Sequence, residues 1–139
     1  MMTSAIWNVY VLQLVYLAGC IFWNVAGVIL QSKGMQPLGP TASWAAAGLM
    51  VVPGLLAWWG LKSKSWHYML ASALMGLGGL AAIVPALTSD DPSLWPSPFW
   101  RWAGIVLNLF GLVLAIVGIY LTMKAMRGSP KGKENITNN

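Results

Sequence analysis

Four long apolar runs, separated by short polar segments, dominate the pattern of this chain. They cover residues 6–30, 42–61, 66–87 and 99–123. A helix of about 20 apolar residues is long enough to cross a hydrocarbon core of about 30 Å. The pattern therefore predicts an all-α, polytopic membrane protein. Its four transmembrane helices lie within residues 1–123, and a basic polar tail follows at 124–139.

Composition supports the same class. Hydrophobic residues make up 58% of the sequence and charged residues 8%, whereas roughly a quarter of the residues in a soluble domain are charged. The net charge of +5 comes from the ends of the apolar runs and from the tail, so we expect the partner to be a lipid bilayer and not nucleic acid. Cys20 is the only cysteine, which excludes an internal disulfide and a multi-cysteine metal site.

Basic residues are distributed unequally between the two sides that four crossings define. The richer side carries Lys62, Lys64, Lys124, Arg127, Lys131 and Lys133, and the poorer side carries Lys33 and Arg101. The positive-inside rule therefore predicts that both termini are cytoplasmic, in what we expect to be a bacterial cytoplasmic (inner) membrane. Eight tryptophans lie near predicted helix ends, where we expect them to act as interfacial anchors. They are Trp7, Trp44, Trp58, Trp59, Trp66, Trp95, Trp100 and Trp102.

The fourth apolar run contains a stripe of glycines. Gly104, Gly111 and Gly118 recur at seven-residue steps, which is two helical turns, and Asn108 and Ala115 lie on the same face. A neighbouring helix can approach closely over glycine, whereas lipid gains nothing from it. The stripe therefore predicts a helix-packing surface.

The first apolar run has a polar stripe with the same spacing. Gln13, Cys20, Asn24 and Gly27 share one face of this helix. Amides inside a membrane form hydrogen bonds across helices, and we expect Asn108 to be their partner. The alternative is that these amides line a polar cleft for a small neutral ligand, a quinone head group or a lipid.

The two middle runs differ in their small residues. Pro53-Gly54 lies near the centre of the second run and predicts a kink there. The third run is rich in small residues, including Gly76 and Gly79, on two adjacent faces. Neighbours can approach such a helix from both sides, so we expect it to be the central one.

Candidate chemistry is sparse. All Asp, Glu, Lys and Arg residues lie in loops, at helix ends or in the tail, although catalysis and ion coupling usually need an ionisable group within the span. His67 is the only histidine and cannot supply a zinc site or bis-histidine haem ligation by itself. The sequence therefore predicts no enzyme, no cofactor and no metal site.

In size and helix number the chain resembles the small multidrug transporters. That family's pattern places an essential glutamate in the first helix, where this chain has Asn8, Gln13 and Asn24, so the resemblance does not extend to proton-coupled export.

We expect a non-catalytic accessory or assembly subunit of a larger membrane complex, or a homo-oligomer, that docks through its glycine and amide stripes. One alternative is a small oligomeric channel or transporter for a neutral or hydrophobic solute. A second is a membrane redox subunit associated with haem or quinone.

Overall fold

In a computed structural model, which describes residues 4–62 and 65–128, the chain is all-helical. The helices are α1 (Ser4–Ser32), α2 (Trp44–Leu49), α3 (Val51–Lys62), α4 (Ser65–Thr88) and α5 (Pro98–Gly128), and a short 3-10 helix covers Pro92–Leu94. Within the described residues, α1, α2 with α3, α4 and α5 make four segments long and apolar enough to span a membrane. The prediction of four apolar spans is confirmed.

Local sequence accounts for where these helices begin and end. Gly34 has a φ of 72°, and the amide of Met35 donates to the Leu30 carbonyl, which is the usual glycine-terminated helix end. The hydroxyl of Ser43 accepts from the Ala46 amide and caps α2. Pro98 occupies the first position of α5, where its missing N–H costs nothing. The helix continues past the predicted end at 123 because the next residues, KAMR, are good helix formers.

The second span is broken, but not where its proline lies. The break falls at Met50, between α2 and α3, and Pro53 lies within the first turn of α3. Proline has no N–H to donate to the carbonyl four residues earlier, and its ring crowds that carbonyl, which here belongs to Leu49. The interruption therefore appears one turn before the proline that causes it.

Each of the four spans packs mainly against two others. α1 packs against α5 and against α2 and α3, while α4 packs against α3 and α5. The third span, α4, has the two largest interfaces, those with α5 and α3, and its Ser72 also accepts a hydrogen bond from Gln13 of α1. Its small residues divide between two roles: Gly76 and Gly79 are buried, whereas Gly78 and Ala82 are exposed.

The two ends of this bundle differ in packing. The terminal end contains the start of α1, the end of α3, the start of α4 and the end of α5, and most of the buried core lies in that half. Its members include Ile6, Tyr16, Ala57, Tyr68 and Leu114. The loop end contains residues 33–43 and 89–97, and its buried cluster is smaller, formed by Ala86, Trp95 and Ile105. The loop-end half is therefore the less tightly packed of the two.

Large apolar side chains cover the outside of the bundle. Leu55, Leu77, Val106 and Ile116 are examples on three helices, each more than half exposed, which suits contact with lipid tails. Most described tryptophans are also exposed, consistent with a position at the membrane interface. Trp23 and Trp100 are half-buried, and Trp95 is buried, because the 89–97 loop folds it back against Ala86 and Ile105.

Candidate functional site: a cavity inside the bundle

A cavity of about 340 Å³ lies in the loop-end half of the bundle. All four spans and both loops contribute to its wall, and the contributing residues on α1 are Cys20, Trp23 and Asn24. Met50, at the break between α2 and α3, lines this space; α2 packs against α1, whereas α3 packs mainly against α4. Its volume is within the range of small-molecule sites in proteins.

Small residues form the α4 wall of the cavity. Gly78, Ala81, Ala82 and Pro85 line it and are exposed. A Cβ added to Gly78 would meet no atom within 4 Å, so nothing fills the space beside it. Because these lining residues are also at the surface, the cavity opens sideways between α2 and α4. That opening lies along helices that are long and apolar enough to span a membrane.

Two amides supply polar groups to the cavity. Asn24 donates from Nδ2 to the Cys20 carbonyl at 2.9 Å, and its Oδ1 accepts from the Ser43 amide at 3.4 Å. Asn108 donates from Nδ2 to the Gly104 carbonyl at 2.8 Å. Each amide has two N–H groups, so each keeps one donor that these bonds do not use. The wall is therefore apolar with a few hydrogen-bonding positions.

Arg101 adds a positive charge at the loop end of the cavity. Its Nε donates to the Ala86 carbonyl at 2.6 Å, and Nη2 donates to the carbonyls of Leu87 and Ser89 at 3.4 and 3.3 Å. The guanidinium also lies 5.4 Å from the centre of the Trp95 ring. These contacts fix the arginine across the C-terminal end of α4, where helix carbonyls carry partial negative charge.

The glycine stripe of α5 packs within the chain. Gly104 lies against Trp23, and Gly111 lies directly beneath the ring of Tyr16. The position of a Cβ on Gly118 would be 3.0 Å from both Gln13 Nε2 and Ser72 Oγ. The stripe therefore contacts α1 and α4 of the same molecule and is not on the outer surface.

The remaining small residues singled out in the sequence also contact neighbouring segments. Gly76 lies beside Ala115 on α5, and Gly79 lies 3.0 Å from the Asn108 carbonyl, both measured from an added Cβ. Gly27 is covered by Ala42, which holds the 33–43 loop onto α1. Cys20 is buried and lines the cavity.

The expected contact of Asn108 with the amides of the first helix does not form. Gln13 instead donates to Ser72 Oγ at 3.1 Å and to the Leu114 carbonyl at 3.3 Å. Asn108 accepts from the Tyr16 hydroxyl at 3.3 Å. The reason is the antiparallel register: Gln13 is level with Leu114, which is six residues or about 9 Å along α5 from Asn108. Asn24 is displaced from Asn108 in the opposite direction, toward the loop end of α1.

A second polar cluster lies in the packed half of the bundle. Gln13 and Ser72 are fully buried there, as is Tyr68, and Thr122 donates back to the Gly118 carbonyl at 2.8 Å. Gln13 Oε1 and the Tyr68 hydroxyl are buried without a protein partner.

Several residues of these sites were not singled out from the sequence. Tyr16 lies three residues after Gln13 and so falls on the same helical face, which was the available signal. Arg101 was assigned only to topology, and Trp95 only to the interface. Their position in the cavity depends on how the 89–97 loop folds, and the spacing of apolar and polar residues in the sequence does not predict the fold of a loop.

His67 lies between two tryptophan rings. Its ring centre is 4.8 Å from that of Trp59 and 3.8 Å from that of Trp66. In the part of the chain that the structure describes, no three His, Cys, Asp or Glu side chains come together as a possible metal site. The stacking places His67 at the terminal end, in the opposite half of the bundle from the cavity.

Comparison with known proteins gives no further assignment. No protein-family model matches the chain, and no curated protein or solved structure matches it significantly.

Proposed function

We propose that the protein is a small, non-catalytic integral membrane protein that binds a lipid-like amphiphile in the cavity between α2 and α4. The observation that carries this proposal is the sideways opening of the cavity past Gly78, Ala81 and Ala82. A molecule with an apolar chain can enter there from the bilayer without crossing water. The same site could serve a carrier for a hydrophobic solute, which was one of the alternatives expected from the sequence.

The character of the wall supports an amphiphile. Small apolar residues of α4 line the open side of the cavity. The amides of Asn24 and Asn108 lie on its inner wall, and the charge of Arg101 lies at its loop end. An entirely apolar ligand would leave the remaining N–H donors of these groups without partners in a low-dielectric site. A strongly polar solute would lose its hydration against the alanines. A molecule with one polar end matches both parts.

Photolabelling tests the proposal. We would place the full chain in phosphatidylcholine nanodiscs with a fatty alcohol carrying a diazirine on its alkyl chain, and map the labelled residues by mass spectrometry. We expect labelling to concentrate on residues 44–50 and 78–86 and to be displaced by unlabelled fatty alcohol. Labelling spread evenly over the outward faces of all helices, without displacement, would refute the proposal.

Two glycine variants sharpen this test. Gly78→Leu should reduce the displaceable labelling, because its side chain enters the cavity without a clash at Cβ. Gly48→Leu is the matched control: it is also a helical glycine with nothing within 4 Å of an added Cβ, but it does not line the cavity. Equal labelling of both variants would also count against the proposal.

Docking to another membrane protein is the second candidate. The glycine stripe of α5 cannot provide the surface, because its contacts lie within the chain. An apolar cleft of about 480 Å³ between α1 and α3 favours a different docking surface, because Ala18 lines it and is exposed, and a helix can approach closely over so small a side chain. Co-purification in mild detergent tests this role. Docking would be excluded if the protein purifies as a lone monomer and Ala18→Leu changes neither its oligomeric state nor the proteins that purify with it.

We also propose that both termini face the cytoplasm, in a bacterial inner membrane. Lys62, Lys124 and Arg127 all lie at the terminal end, and Lys33 and Arg101 at the loop end. This distribution supports the orientation through the positive-inside rule. Reporter fusions at the C-terminus, active only on one side of the membrane, test it.

A further inference from the structure

We infer that the cavity binds an amphiphile with an anionic headgroup, and that Arg101 holds this headgroup. The inference rests on the proposed amphiphile-binding function and adds the chemistry of the ligand. Arg101 is the one charged side chain among the residues lining the cavity, all of which the structure describes. Its charge is therefore the strongest polar interaction that the site can offer.

Only some of the N–H donors of the Arg101 guanidinium are hydrogen-bonded within the described part of the protein. The carbonyls at the end of α4 accept from Nε and Nη2. Among the described residues no acceptor is bonded to Nη1, although a guanidinium has five N–H donors. The three existing bonds also hold the arginine in place, so little conformational entropy is lost when a ligand binds.

The positive charge is not neutralised by a carboxylate of the described chain. The acceptors bonded to Arg101 are uncharged carbonyls. Asp90 and Asp91 are both exposed, and the Asp91 carboxylate accepts from the Ser93 amide and hydroxyl. An oxyanion entering the cavity therefore meets an arginine with spare donors and no competing acid.

The rest of the wall indicates that the anion carries an apolar chain. Arg101 lies at the loop end, and Gly78 and Ala82 lie farther into the membrane along the same cavity. A phosphate or carboxylate at Arg101 would leave its chain to run past these small residues into the bilayer. A free anion would bury most of its surface against apolar groups, which is unfavourable.

Competition against the neutral photoprobe tests this inference in the full-length protein. The competitors are dodecyl phosphate, dodecanoate, uncharged dodecanol and inorganic phosphate. We expect the two anionic amphiphiles to displace the probe at concentrations at least about tenfold lower than dodecanol, the lower end of what a hydrogen bond to a charged group contributes. Inorganic phosphate should not displace it. Equal potency of all three amphiphiles, or displacement by inorganic phosphate alone, would overturn the inference.

Variants test whether Arg101 causes the preference for anionic amphiphiles over dodecanol. Arg101→Gln should bring the anionic amphiphiles to the potency of dodecanol, and Arg101→Lys should keep part of the preference because it keeps the charge. Lys33→Gln is the matched control, since it removes one positive charge at the same end of the bundle outside the cavity. Loss of the preference in Lys33→Gln as well would assign it to the general surface charge and contradict the inference.

Failure of the inference can be told apart from failure of the proposed function. If Gly78→Leu abolishes labelling but charge has no effect, the cavity binds an amphiphile and only the headgroup assignment is wrong. If Gly78→Leu has no effect at all, the proposed function itself is wrong. Should Arg101→Gln fail to fold because it uncaps α4, the competitor series on the wild-type protein still decides the question of charge.

Discussion

The hydroxyl end of the Tyr16 ring lies against Gly111, in the place that a side chain at that position would occupy. Tyr16 is only 2% exposed, and its hydroxyl donates to Asn108 Oδ1 at 3.3 Å. One tyrosine thus joins α1 to two residues of the α5 stripe, by packing at Gly111 and by a hydrogen bond one turn away. The close approach of the first and last spans depends on the missing side chain at Gly111.

Gly111→Ala should therefore destabilise the protein. The added methyl overlaps the ring of Tyr16, which is buried and hydrogen-bonded to Asn108, so we expect a loss of about 1–3 kcal/mol, as for other overpacked cores. Reversible unfolding in mixed micelles measures it. Gly48→Ala, where the methyl meets nothing, should be neutral or slightly stabilising. Equal stabilities of the two variants would contradict this prediction.

Gly60→Ala should be at least as harmful. Here the added methyl overlaps the backbone amide and Cα of Tyr68, where α3 and α4 pass closest to each other. A backbone cannot change rotamer, so the two helices must separate, and we expect a loss of at least about 1–3 kcal/mol. Thermal unfolding measured side by side with Gly111→Ala gives the comparison. A Gly60→Ala protein as stable as the wild type would show that this crossing is looser than the structure indicates.

The buried bond between Gln13 and Ser72 should contribute a small coupling energy. Both side chains are fully buried in the packed half and connect α1 with α4. A double-mutant cycle with Gln13→Leu and Ser72→Ala should give a coupling of about 0.6 kcal/mol, the average for hydrogen bonds inside membrane proteins. The same cycle with Thr122→Ala in place of Ser72→Ala is a control, because Thr122 bonds to its own helix. Additive effects of Gln13→Leu and Ser72→Ala would show that the bond contributes nothing.

The spans could be predicted from sequence because each rests on a property of one segment. An apolar run of 20 or more residues has few alternatives to a membrane helix, since the bilayer satisfies no backbone polar group. The seven-residue spacing likewise placed Gly104, Gly111 and Gly118 on one face, and all three lie against side chains of neighbouring helices.

The pairing of residues across helices could not be predicted in the same way. Register along an antiparallel pair depends on loop lengths and helix ends, and an offset of six residues separates Gln13 from Asn108. The cavity could not be predicted from the sequence either. Its wall includes Met50, at the break in the second span, and Trp95, which the 89–97 loop returns to the bundle, and both positions depend on how separate segments pack together.

Asp91 should titrate below its ordinary range. The Ser93 hydroxyl at 2.6 Å and the Ser93 amide at 2.9 Å donate to its carboxylate and lower its pKa. Because the folded-state pKa is depressed, any stabilisation of this turn is present above the unfolded pKa and is lost as pH falls through the folded value. Carbon NMR of the Asp91 carboxyl measures this pKa. Ser93→Ala should raise it, and an unchanged value would show that the hydroxyl bond does not form.

Pro53→Ala should close the break that opens the cavity. With an N–H at position 53, the Leu49 carbonyl gains a hydrogen-bond donor, and α2 and α3 can join through Met50 into one helix. We expect slower amide hydrogen exchange at residues 49–53, together with weaker displaceable labelling by the photoprobe. Pro85→Ala is the control for exchange, because that proline lies in a helix which is already continuous. Slower exchange with unchanged labelling would mean that the cavity does not depend on the break, and that the small residues of α4 alone are enough to maintain it.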